Sequence, residues 1–297
     1  MAERNKLVSW IVNMPSSHLA TILTVTALIF VLFPQAFPLR VNENVQAYYD
    51  FIEAMQPGDV FVYDVSQNIQ AREVVRSSDL YVMAHLWEKP GIKIIAISFS
   101  APGPVNWETM QDVLAPSTLK KKTYGVDVVY LGYIPGDQSG IAAFCSNIRS
   151  VKTEDYYGTP IDDIPMMTTG NPKTGGPIND ASAFYGCLYT YWNAAMIQAY
   201  AQVLGDTWGV PIVRTSSSWV TDAPYYPRYL RHYIFSAQFV EYESLLLKQY
   251  GYIGINQVYY TIQAIGCGLF VGLLIIANIV YWADRISTSR RKEAVIR

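Results

Sequence analysis

The sequence predicts an α/β fold, a doubly wound, mostly parallel sheet of about five strands (flavodoxin-like or Rossmann-like), with two transmembrane helices attached. Three observations lead there. Charged residues make up only 15% of the chain, against about 25% in an ordinary soluble domain. The deficit is concentrated, because no Asp, Glu, Lys or Arg occurs from Leu7 to Leu39 or from Gln249 to Ala283. Between those ends, short β-branched runs alternate with helical patterns, and the runs are continuously apolar, as in strands covered on both faces.

Residues 1–39 read as a cytoplasmic tail followed by an N-terminal transmembrane helix whose apolar part is Leu19 to Phe33. A cleaved leader is the alternative, but no small-residue cleavage site cleanly follows the run. Residues 251–297 read as a C-terminal transmembrane helix over Val258 to Trp282 and a basic tail. About 20 helical residues cross the roughly 30 Å hydrocarbon core. Tyr259, Tyr260, Tyr281 and Trp282 suit the two interfaces. Arg4 and Lys6 precede the first run, and Arg285, Arg290, Arg291, Lys292 and Arg297 follow the second. Basic flanks stay inside, so both termini are expected to be cytoplasmic and the central domain, residues 40–250, to lie outside the cytoplasm of a cell membrane.

In that domain Val60 to Val65 follows the turn Pro57-Gly58-Asp59 and reads as the first strand. Lys93 to Phe99 is the second, Val126 to Tyr133 the third, Ala183 to Trp192 the fourth and Val210 to Thr215 the fifth. Helical spacing marks Ile69 to Trp87, Asn193 to Leu204 and a last helix from Tyr233 to Tyr250. Strand–helix–strand alternation with short connections gives parallel strands. Residues 150–182 break the alternation: their first half is apolar enough to pack, while Thr168 to Pro177 reads as a mobile loop.

Tyr124 to Gly136 (YGVDVVYLGYIPG), SNIRSV, Glu154 to Met167 (EDYYGTPIDDIPMM) and Ala223 to Pro227 carry a resemblance over roughly residues 45–250. The chain resembles a family of uncharacterised prokaryotic membrane proteins that pair terminal membrane helices with a Rossmann-like domain. The resemblance implies fold and topology and no activity. Many members have a glycine-rich end to the fourth strand, where this chain has Tyr191-Trp192-Asn193.

Ligands of open parallel sheets sit outside the carboxyl ends of the strands. Those ends form a polar rim that includes Ser98, and Asp64, Ser66, Ser100, Gly136, Asp137 and Ser216 are the candidate set for a small polar ligand. Turn and N-cap chemistry alone also places Ser, Asp and Gly at such ends. Catalytic and cofactor signals are sparse. The three histidines, His18, His85 and His232, read as structural, and neither a nucleophile elbow, a zinc spacing nor a phosphate-binding glycine loop is present. No cofactor or metal is expected. Residues 40–257 hold 15 basic and 21 acidic residues, a net charge of −6. Lys120 to Lys122 reads as a solvated helix end, so nucleic acid is not an expected partner. Cys145 and Cys187 read as separate buried thiols. Ala264, Gly268 and Gly272 recur every four residues in the second membrane helix, spacing that lets helices approach closely. The leading expectation is therefore a non-catalytic membrane-anchored subunit that assembles with itself or another membrane protein. The alternative is a sensor or enzyme holding a small polar ligand at the strand ends.

Overall fold

In a computed structural model of the protein, residues 39–67, 72–114, 122–190, 194–216, 228–235, 238–252 and 254–296 are described, with scattered positions between 15 and 29. The chain divides into two compact units, Leu39–Gly254 and a second made of Met1–Pro38 with Ile255–Arg297.

Six strands build the first unit: β1 (Val60–Asp64), β2 (Lys93–Ser98), β3 (Val128–Tyr133), β4 (Phe184–Tyr189), β5 (Ile212–Ser216) and β6 (Leu230–Phe235). They form one sheet in the order β3-β2-β1-β4-β5-β6, and every neighbouring pair is parallel. This is the Rossmann order, in which the winding reverses between β1 and β4. Strand side chains point alternately to the two faces. Val60, Val62, Ile95 and Ile97 therefore enter one core, while Phe61, Tyr63, Ile94 and Ala96 enter the other.

On the second of these faces lie α1 (Glu43–Glu53), α2 (Arg72–Glu88), α3 (Gly103–Leu114) and α8 (Phe239–Tyr250). α1 starts where the Asn42 side chain accepts the Asn44 N–H at 2.9 Å, a cap worth about 1 kcal/mol. It buries Val45, Tyr48, Tyr49 and Ile52, a single stripe at helical spacing. The opposite face carries α4 (Asp137–Ser146), the short α5 (Ile148–Val151) and α6 (Pro165–Thr169), and α7 (Ala194–Tyr200), which continues as a π-helical segment, Ala201–Thr207.

The sheet has one strand more than expected. Leu230–Phe235 is β6, where the sequence suggests the start of the last helix; that helix begins at Phe239. As an edge strand, β6 carries the half-polar run Leu-Arg-His-Tyr, which hides the strand pattern. α1 and α3 also went unassigned in the sequence. Residues 150–182 are ordered by two polar staples. Arg149 donates to Asp162 Oδ1 at 2.8 Å, Asn179 Oδ1 at 2.7 Å and the carbonyls of Ile178 and Met167. Asp155 accepts the N–H groups of Tyr157 and Thr159 through Oδ1 and the Tyr124 hydroxyl, at 2.8 Å, through Oδ2. Within the expected mobile stretch, Asn171 N–H donates to the Gly176 carbonyl at 3.0 Å, closing a turn. Lys122 is not a solvated helix end: it is buried and donates to the carbonyls of Lys89 and Ile92.

In the second unit α9 (Ile255–Ile296) contains Asn256–Ile276, with a mean hydropathy of 1.8, long and apolar enough to cross a membrane by length and composition. It is the one such helix among the described residues. Of the expected N-terminal helix only Ala20, Thr21, Thr24, Val25, Leu28 and Ile29 are among them, each helical.

Candidate functional site

The crevice at the carboxyl ends of β1 and β4 is where a sheet of this order opens. Asp64, the last residue of β1, is fully buried there. Its Oδ1 accepts the Ser66 N–H at 2.9 Å and the Ser66 hydroxyl. Ser66 Oγ in turn accepts the Phe99 N–H at 2.6 Å, stitching the end of β1 to that of β2. Ser98 Oγ accepts the Ser100 N–H at 3.1 Å and donates to the Ser100 carbonyl at 2.7 Å. Thr190 donates its hydroxyl to the Asp64 carbonyl at 2.7 Å, joining β1 to β4. From α3, Asn106 Nδ2 donates to the carbonyls of Val65 and Gln67 at 3.1 and 2.9 Å.

These bonds fix the backbone at the crevice yet leave several polar atoms over. Asp64 Oδ2, Tyr200 Oη, Tyr130 Oη, Ser100 Oγ, Asn106 Oδ1 and Gln67 Nε2 are buried without a hydrogen-bond partner. Such groups are rare in native proteins, and each calls for a cause. Burial pushes the Asp64 carboxyl up to about 6, and the Ser66 hydrogen bonds hold it from rising further. The Tyr200 hydroxyl faces the carboxyl and also holds it down, from a position short of full hydrogen-bond geometry. Burial raises the phenols of Tyr130 and Tyr200, with the Asp64 charge adding to both. Around neutral pH the crevice therefore offers one ionised carboxylate oxygen beside the protonated Tyr200 phenol, while the Tyr130 phenol lies on the other face of the sheet, near Ser98. That donor set suits a hydroxyl- or amine-bearing group.

Asp64, Ser66 and Ser100 of the expected set are thus brought together, with Ser98. Gly136 and Asp137 are exposed at the start of α4, where Ser139 donates to the Gly136 carbonyl at 2.6 Å. Ser216 ends β5, and its side chain lies outside the described residues, as do Tyr191 to Asn193. Sequence reasoning missed Tyr130, Tyr200 and Asn106, which reach the crevice from a strand and two helices. Their signal was weak but present: tyrosines inside apolar runs need a partner for the hydroxyl.

No histidine stands near a candidate nucleophile among the described residues. His85 is buried between α1, α2 and α8, hydrogen-bonded to Tyr242 at 2.6 Å and Glu53 at 3.0 Å. Among the described residues no three His, Cys, Asp or Glu side chains gather as metal ligands. Cys145 and Cys187 are free and buried, with burial raising both thiols, Cys145 to about 12. On α9, a Cβ added at Gly268 or Gly272 meets nothing within 4 Å, and Ala264 is exposed. No family model, curated protein or solved structure matches the chain.

Proposed function

We propose that this protein is a membrane-tethered α/β domain that holds a small polar ligand at the crevice between β1 and β4, with Asp64 as the acceptor at its base. The observation that carries the reading is the buried Asp64 Oδ2, left without a full hydrogen bond beside the Tyr200 phenol at the point where the winding reverses. An ionised buried carboxylate is costly unless something compensates it, and a ligand N–H or O–H does so. Two-pass anchoring with both termini in the cytoplasm belongs to the same proposal. Supporting it, the Asn42 N–H donates to Glu241 at 2.6 Å, and Gly254 sits against the Glu243 carboxyl. The two ends of the domain thus both meet α8, an arrangement compatible with two tethers to one bilayer.

Asp64→Asn is the test. The carboxyl's folded value of about 6 lies above its unfolded value of about 3.9, so the neutral form is favoured in the fold and wild-type stability falls as pH rises from about 4 to 6. The amide escapes that cost, about 2–3 kcal/mol. The variant should therefore melt higher than wild type at pH 8 and show no advantage at pH 4. It should also lose the rise in Tm that a polar metabolite panel gives the wild type. A wild type unmoved by every hydroxyl- and amine-bearing metabolite would end the ligand reading.

Assembly through α9 is a second reading, favoured by the open face over Gly268 and Gly272. Small residues spaced by four let helices pack closely in lipid. Gly268→Leu should then reduce the particle mass measured after gentle solubilisation. A particle that is a lone monomer before the substitution removes this reading.

A further inference from the structure

We infer a second binding site at the opposite, amino-terminal edge of the sheet, one that takes a small anion with a phosphate or carboxylate head and a planar ring. A groove of about 690 Å³ opens there between α1, the π-helical segment and the residues leading into β5 and β6. That volume lies within the range of small-molecule sites.

Its charge is the first argument. Arg228 and Arg231 both line the groove. Neither guanidinium has an ion-pair partner among the described residues. The one acid in the groove, Asp50, already accepts from Gln46 Nε2 at 2.8 Å. His232 adds no charge near neutral pH, because burial and the neighbouring Arg231 push it down to about 4. In a domain with more acids than bases, two guanidinium groups without ion-pair partners against a single carboxylate at one groove are a local exception. Guanidinium forks match carboxylate and phosphate oxygens in pairs.

The walls are the second argument. Phe51, Tyr185 and His232 form a partly exposed aromatic surface, with Phe51 centred 5.0 Å from Tyr185 and 5.2 Å from His232. Arg228 lies over the Tyr229 ring at 4.8 Å, so one guanidinium is already held in a plane. Such a surface offers a planar ring something to stack on beside the charged head.

The π-helix is the third. Ala201–Thr207 keeps π geometry for seven residues, and Gly205 within it lines the groove. π segments are rare and concentrate at functional sites. This site stands apart from the Asp64 crevice, so either can fail without the other.

Isothermal titration of the full-length chain in a non-ionic detergent, with phenyl phosphate, inorganic phosphate and phenol as probes, tests the inference. Phenyl phosphate should bind at least tenfold more tightly than either fragment. R228Q combined with R231Q should weaken it tenfold or more, and Asp50→Asn should tighten it by removing the opposing charge. Asp64→Asn should leave it unchanged. The exposed arginines make a folding defect in the double variant unexpected, and an unchanged circular dichroism spectrum confirms that. Absence of phenyl phosphate binding, equal affinity for a fragment, or indifference to the arginine substitutions each overturns the site.

Discussion

His85→Ala is expected to destabilise the central domain by about 3–5 kcal/mol, read as a drop in the urea unfolding midpoint. Two contributions add. A buried side chain is removed and leaves a cavity, and a buried hydrogen-bond network loses its central member, at about 1–3 kcal/mol for each group left unsatisfied. Burial pushes His85 below its usual value, so the ring is neutral. A neutral imidazole has one donor and one acceptor. With Glu53 ionised, Nε2–H donates to Glu53 Oε1, and Nδ1 accepts the Tyr242 hydroxyl. Glu53 also receives Lys89 Nζ at 2.9 Å, Tyr49 at 3.2 Å and the Tyr250 hydroxyl. The Tyr49 ring stacks on the imidazole at 4.5 Å. One carboxylate therefore ties α1, α2 and α8 together, which are the first helix of the domain, its longest and its last.

The same network sets an acid limit. The His85 hydrogen bond, then those from Tyr250 and Lys89, holds the Glu53 carboxyl well below the usual carboxylate range. A depressed carboxyl contributes stability that is present above its unfolded value of about 4.3 and is lost as pH falls through the folded one. Unfolding midpoints measured from pH 7 to pH 2 should fall below pH 4, and Glu53→Gln should flatten that fall. A His85→Ala protein with the wild-type midpoint would show the network to be idle.

Gly103→Ala is the second large effect, expected at about 2–4 kcal/mol because overpacking a rigid site costs about 1–3 kcal/mol and occasionally more. A Cβ at Gly103 would lie 1.9 Å from Ser98 Oγ, 2.1 Å from Ser98 Cβ and 3.4 Å from the Tyr130 hydroxyl. Ser98 cannot step aside, because it is fully buried at the end of β2 and its hydroxyl closes the Ser100 turn. The helix must retreat instead, taking Asn106 from the β1 end it clamps and Trp107 from Tyr130, on which it stacks at 4.9 Å. Gly58 is the control. Its φ is +99, but an added Cβ there meets nothing within 4 Å, so Gly58→Ala pays only the backbone strain, about 1 kcal/mol. If both alanines cost the same, the close approach of α3 to β2 is wrong.

Much of the fold was legible because β1, β2 and β3 are continuous apolar runs bounded by Pro-Gly turns, which a covered parallel sheet demands. The half-polar edge strand β6 was not, since a strand with one wet side loses that mark. Asp64, Ser66 and Ser100 were legible as site residues because position at a strand end is a local property. Tyr130, Tyr200 and Asn106 were not, because their side chains converge from elements far apart in sequence. The groove beside Arg228 and Arg231 was invisible for the same reason: one wall comes from α1, and its rim comes from a π-helix that no periodicity announces.

By itself, the sequence determined the alternation of strands and helices, the two uncharged ends and the polar character of the strand termini. Each follows from the order of apolar and polar residues along a few turns of chain, where local geometry decides which side chains share a face. The tertiary structure decided the strand order β3-β2-β1-β4-β5-β6, and with it that Asp64 stands where the winding reverses. It alone also decided that Glu53 and His85, 32 residues apart in sequence, meet in one buried network. Those are outcomes of long-range packing, which brings together residues whose spacing in the chain carries no record of their contact.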